Sequence, residues 1–166
     1  IAQLEEAKKF GNARVYDTML RSVRNFVKGR DLPLKQITYA WLKKYEAWYL
    51  SKGNSANGLS VSLRTMRALD NRAIKQKLIS KEYYPFTDYR IKGESTRKRA
   101  IAGADLELIK KFQPKTERQE RAKDYFLLSF YLMGASFVDL AFLKVKNITG
   151  GRIEYKRQKT GRLHSI

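Results

Sequence analysis

The sequence has no cysteine, one histidine (His164) and three prolines among 166 residues. Without thiols there is no disulfide framework, no thiolate metal site and no cysteine nucleophile. One histidine excludes a histidine-rich zinc site. Acidic residues are also scarce, 16 Asp+Glu against 35 Lys+Arg. Their scatter argues against a metal-dependent nuclease, which needs clustered carboxylates. Apolar runs extend only a few residues, so none is read as spanning a bilayer. No charged-then-apolar leader opens the chain, and secretion is not expected. Serine-hydrolase elbows, HExxH, phosphate loops and GxGxxG are all missing, so the residues offer no hydrolytic or nucleotide-binding constellation.

What remains is apolar enough to fold. Hydrophobic residues make up 43% and aromatics 12%, which excludes wholesale disorder. The length suits about one domain or two small ones. The dominant feature is a net charge of +19 with a pI near 10.2. Self-repulsion on that scale destabilises a compact chain unless it serves a polyanion. Nucleic acid is the first candidate, an anionic membrane surface the second. Residues 1–92 carry net +11 and residues 93–166 net +8, so the charge is not a basic tail. No internal repeat or low-complexity segment is present.

Apolar spacing predicts helices through the first half. Ile1–Phe10 reads as a short amphipathic piece ended by Gly11-Asn12. Val15, Met19, Val23, Phe26 and Val27 mark a second helix stopped at Gly29. Trp41, Tyr45, Trp48 and Tyr49 mark a third. Their helical spacing favours core packing over a base-stacking platform. Ser55–Leu78 is the longest helical stretch, with Leu59, Leu63, Met66, Ala73 and Ile74 facing inward. Residues 87–99 read as a polar linker ending in Arg97-Lys98-Arg99. A second unit follows, with helices over Asp105–Phe112, Glu117–Met133 and Phe137–Leu143. Arg152–Arg157 alternates like a strand, Lys159-Thr160-Gly161 makes a turn, and Arg162–Ile166 returns as its hairpin partner.

On the longest helix, Ser60, Arg64, Arg67, Asn71 and Lys75 fall on one face opposite most of the apolar stripe. An ordinary solvated face mixes charge signs; this one has no acid. Arginine reads guanine edges, and arginine, lysine and serine bind phosphates, so the face is a candidate DNA-contacting surface. Arg14, Arg21, Arg24 and Lys28 on the second helix form a weaker candidate. Asp139 reads as a helix cap or ion-pair partner, and His164 as a strand surface residue. Lys159, at a hairpin tip among Lys156, Arg157 and Arg162, can reach a phosphate or protonate a leaving oxygen.

The ordered set resembles the tyrosine recombinase (phage integrase) family, especially integrases of mobile elements. Asn57–Ile79 is similar to the last long helix of that family's SAM-like core-binding module. Tyr83-Tyr84-Pro85-Phe86 resembles the motif that follows it. Tyr131–Lys144 looks like the segment carrying the first catalytic arginine, and Gly150–Ile166 resembles the catalytic hairpin. The resemblance implies a mainly α protein. A four-helix core-binding domain (1–92) and a basic linker (93–99) precede the first part of an α+β catalytic domain (100–166), truncated after its C-terminal β-hairpin. It implies DNA strand exchange through a 3′-phosphotyrosyl intermediate, with no metal or cofactor, in a clamp around duplex DNA. The linker would bring Lys98 and Arg99 near the backbone, and Lys159 would protonate the leaving 5′-oxygen.

Two departures stand out. Gly134-Ala135-Ser136 places Ser136 where the family has its first catalytic arginine. None of the ten tyrosines lies in the context of the family's nucleophile. The chain is therefore expected to be a piece of a longer integrase, cytoplasmic and nucleoid-associated, that binds DNA without cleaving it. An unfinished sheet edge invites pairing with another chain, and self-association on DNA is expected of the whole protein. Rival readings are a stand-alone DNA-binding accessory or regulatory protein, and a basic RNA-binding protein. A membrane-surface binder is disfavoured because the aromatics read as core rather than interfacial anchors.

Overall fold

The structure is a computed structural model that describes residues 1–97 and 100–166. The chain divides into two compact units, Ile1–Arg97 and Lys98–Ile166. Among the described residues it is mainly helical, with seven helices and a small antiparallel sheet near the C-terminus. No described helix is long and apolar enough to cross a membrane.

Unit 1 holds α1 (Ala2–Glu6), α2 (Phe10–Phe26), α3 (Tyr39–Ser51) and α4 (Ala56–Lys75). The expected break at Gly11-Asn12 falls earlier. The chain turns at Ala7–Lys9, with Lys8 at φ 54°, and Gly11 and Asn12 lie inside α2. Neither glycine nor asparagine ends a helix when the following apolar face has somewhere to pack. Helix α4 stops at Lys75, short of the expected Leu78. Its start matches its chemistry: the Ser55 hydroxyl accepts from the Gly58 amide at 3.1 Å, and Thr38 caps α3 in the same way.

Helix α1 buries no residue, so the packed core belongs to α2, α3, α4 and the returning segment 84–91. Met19, Ile37, Leu42, Tyr45, Leu59, Leu63, Met66, Phe86 and Tyr89 form its centre. The aromatic residues of α3 are core, as their spacing indicated. Tyr45 is fully buried, Trp41 stacks on it at 5.4 Å, and Phe26 meets both rings edge-on. The Tyr45 hydroxyl bonds to Ser22 Oγ on α2 (2.7 Å) and Ser62 Oγ on α4 (3.0 Å). Burial pushes the Tyr45 hydroxyl pKa up, which keeps it a neutral bridge among three helices.

Unit 2 holds α5 (Gly103–Lys111), α6 (Glu117–Tyr131), α7 (Phe137–Ala141) and strands β1 (Ile148–Thr149), β2 (Arg152–Lys156) and β3 (Leu163–Ser165). The sheet order is β1-β2-β3. The expected hairpin is present, in the register Glu154↔Ser165, Tyr155↔His164 and Lys156↔Leu163. Strand β1 was not expected from two residues of pattern. It pairs with β2 across Gly150-Gly151, whose φ values of 55° and 78° suit a tight hairpin turn. The sheet thus has a third strand, with β2 in the centre and β1 and β3 as its two edges. Leu132, Ala135, Leu140 and Tyr155 form the core of this unit. His164 is half-buried rather than free on the surface, stacked on Tyr155 at 5.3 Å.

One buried group in unit 1 works against stability. Asp70, on α4, is 1% exposed, and its Oδ2 has no hydrogen-bond partner. Burial raises its pKa from 3.8 to about 6. Arg24, Arg30 and Asp31 line the same cavity, yet no ion pair forms between Asp70 and any described residue. The folded state therefore holds more protons than the unfolded one between these values, so stability falls as pH rises from 3.8 towards about 6. Asp70→Asn should leave stability at pH 4 nearly unchanged and raise it at pH 8 by about 2–3 kcal/mol, read from urea unfolding at both pH values. Tyr45→Phe strands two serine hydroxyls and should cost about 1–2 kcal/mol in the same assay.

Candidate nucleic-acid interface

Helix α4 presents its cations beside an extended stretch of chain. The long buried face of α4 sets its rotation, because Leu59, Leu63, Met66 and Ala73 must point inward. Arg64, Arg67, Asn71 and Lys75 are consequently exposed. Arg64 Nε donates to the Ser60 carbonyl at 3.2 Å, which holds the guanidinium along the helix. Ser60 departs from the expected exposed stripe. It is 6% exposed and lies close to Gly93, where an added Cβ would sit 3.8 Å from its hydroxyl.

A groove of about 800 Å³ runs between α4 and residues 86–93. Arg64 and Arg67 line one wall, Arg90 and Lys92 the other, and no acidic residue lines it. Two interactions hold the second wall. Tyr89 is buried, and its hydroxyl donates to Glu46 Oε2 on α3 at 2.9 Å. Burial pushes the Glu46 carboxyl up, but the Lys43 ammonium and the Tyr89 hydroxyl outweigh it, and it lies below its ordinary value. The Asn57 side chain then brackets Glu94, donating to its carbonyl and accepting from its amide, each at 3.0 Å. Residue 94, expected to be linker, is thus fastened to the start of α4.

The α2 cations are placed elsewhere. Arg21 and Lys28 line a hollow between α2 and α3, and Arg21 pairs with Asp17 at 2.9 Å. Arg24 faces the cavity that contains Asp70, and Arg14 lies near the start of α4. None of them lines the α4 groove. Lys98 and Arg99 lie outside the described residues. Arg90 and Lys92 escaped the sequence reading, although Tyr89-Arg90-Ile91-Lys92 alternates in the way of an extended segment with one face packed.

The family model for the phage integrase SAM-like domain matches residues 1–91. The chain belongs to that family. A search of curated proteins and a search of solved structures find no match. An integrase domain of this kind implies interaction with DNA, and the acid-free groove lies within the matched residues.

In unit 2, Lys159 is exposed in the turn between β2 and β3. Ser136 is the N-cap of α7: its hydroxyl donates to Asp139 Oδ2 at 2.7 Å, and the Asp139 amide reaches back to it at 3.3 Å. Asp139, read as a cap or ion-pair partner, is both. Buried at 3% exposure, it also accepts from the Gln158 amide at 2.8 Å and lies 3.6 Å from Arg157 Nε. The Ser136 hydroxyl, helped by the Gln158 and Ser136 amides and the Arg157 charge, holds its pKa below the ordinary value despite burial. Arg121 pairs with Glu117 on the exposed face of α6.

Asn57→Ala should release residue 94 from α4. Hydrogen exchange at the Glu94 amide should accelerate about tenfold or more, the equivalent of one lost hydrogen bond of about 1.4 kcal/mol, while the buried amides of Leu63 and Met66 keep their protection.

Proposed function

We propose that this chain is the DNA-binding part of a tyrosine recombinase of the mobile-element integrase type. The α4 groove is the surface that meets the duplex. The observation that carries this reading is an acid-free groove with four cations, Arg64, Arg67, Arg90 and Lys92, inside an integrase SAM-like domain. Arginine forks suit both phosphate oxygens and guanine edges, and the wall at 86–93 restricts how a backbone can lie against α4. Asn71 and Lys75 extend the cationic face along the helix, and Arg14, Arg21 and Arg24 add to the field that draws DNA in. In this reading unit 2 is the first part of the catalytic domain, and Lys159 is the acid that protonates the leaving 5′-oxygen. No tyrosine among residues 1–166 stands in the nucleophile's context, so this stretch binds duplex DNA without cutting it. Self-association on DNA belongs to the same proposal, as does a place on the nucleoid.

Binding of the 166-residue chain to a short duplex across a salt series tests the reading, with a structured RNA as competitor. The four groove cations alone contribute about −3.6 to the slope of log K against log salt, a loss of roughly 150-fold or more between 50 and 200 mM. The double variant Arg64→Ala, Arg67→Ala should reduce the slope by about 2. Loss of duplex binding to the RNA competitor would put the RNA-binding alternative in front.

A further inference from the structure

The α6–α7 turn of unit 2 contains no cation of its own. Ser136 is neutral, and its hydroxyl is committed to capping α7. Arg157, just beyond β2, folds back onto this turn. Its Nη2 donates to the Gly134 carbonyl at 3.1 Å, and its Nε lies 3.6 Å from Asp139 Oδ2. We propose that Arg157 is the guanidinium of a phosphodiester-binding site at the end of the hairpin, and that it serves there together with Lys159. The assignment rests on the reading of unit 2 as a catalytic domain, and gives it a charge that Ser136 cannot supply.

Three features separate Arg157 from an ordinary surface arginine. Its backbone closes the turn that carries Lys159: the Arg157 amide donates to the Arg162 carbonyl at 2.8 Å, and the Gly161 amide donates to the Arg157 carbonyl at 2.7 Å. One residue therefore sets the position of both cations. Its side chain is held at two points yet remains 37% exposed, so part of the five-donor fork still faces solvent. Finally, Asp139 does not need it. That carboxylate already accepts from the Ser136 amide, the Ser136 hydroxyl and the Gln158 amide, and a 3.6 Å approach adds orientation more than a hydrogen bond. A guanidinium fixed in advance and still partly free is what a site needs to stabilise charge on phosphate oxygens. The charged neighbours on the hairpin are Lys156, Lys159 and Arg162, with Arg152 and Glu154 turned to Ser165. Arg121 cannot take the role. It lies ten residues before the end of α6, about 15 Å away along the helix, and is paired with Glu117.

Nitrogen-15 NMR of the 166-residue chain tests the site, with inorganic phosphate as the first probe and a short duplex as the second. Phosphate should shift the Arg157 Nε–H resonance and the Lys159 amide in a saturable way, and the duplex should move the same signals. Arg157→Ala should weaken the phosphate response at least tenfold. Arg157→Lys, which keeps the charge but not the fork, should weaken it several-fold. Unchanged Tyr155 and His164 amides report that the hairpin stays folded in both variants. If Arg157→Ala disturbs those amides, the Arg157→Lys variant and the wild-type Nε–H shift decide alone. A merely structural Arg157 would leave that resonance unmoved by phosphate, and this result overturns the proposal. Duplex binding that moves Arg64 and Arg67 but not Arg157 overturns this inference and leaves the proposed function standing. A phosphate response without any duplex binding removes the proposed function, and with it the assignment of a phosphodiester.

Discussion

Unit 2 depends on one buried carboxylate. Asp139 accepts from the amide and hydroxyl of Ser136, at the end of the α6–α7 turn, and from the hairpin, and so joins two pieces of chain that share only a small apolar core. A buried charge is tolerable only when donors surround it, and the three hydrogen-bond donors to Asp139 come from residues 136 and 158. The geometry of the hairpin follows from that requirement. Gln158 must turn its amide inward, which directs Arg157 towards Gly134 and leaves Lys159 exposed at the tip.

Unit 1 solves a different problem, which is to hold many cations on a small body. It packs aromatic rings at the centre and keeps the buried polar groups few. The Tyr45 hydroxyl is satisfied by two serines from different helices, so the three helices cannot slide independently. With the helices locked, the outward face of α4 is fixed in angle, and the arginines on it stand in a row rather than a cloud. Asp70 is the exception, a carboxyl buried without a partner.

Apolar period made most of the helices legible, and the caps at their starts emerge in the structure. Thr38, Ser55, Thr116 and Ser136 each stand one residue before a helix and accept from its first turn, and the inward stripe of α4 was visible as spacing. Features that depend on distant chain were not legible. Ser60 belongs to the polar stripe by angle, but it is buried, with the chain at Gly93 close beside it. Arg90 and Lys92 become groove residues only because Tyr89 finds Glu46 on another helix. Arg157 looks like one more hairpin cation until Gly134, 23 residues earlier, proves to be its acceptor. Strand β1, two residues long, is too short for any periodicity to show.

The Asn57–Glu94 contact uses the side chain of one residue but only the backbone of the other. A primary amide offers a carbonyl and an N–H in the same arrangement as a peptide group, so Asn57 stands in for a neighbouring strand. Position 94 can therefore drift freely in evolution, provided that it keeps its N–H and so avoids proline. Position 57 has almost no such freedom. Aspartate there would meet the Glu94 carbonyl with a second acceptor, and glutamine would reach one methylene too far. Among divergent descendants of this chain, the two partners of one contact should show opposite histories, the first nearly silent and the second noisy.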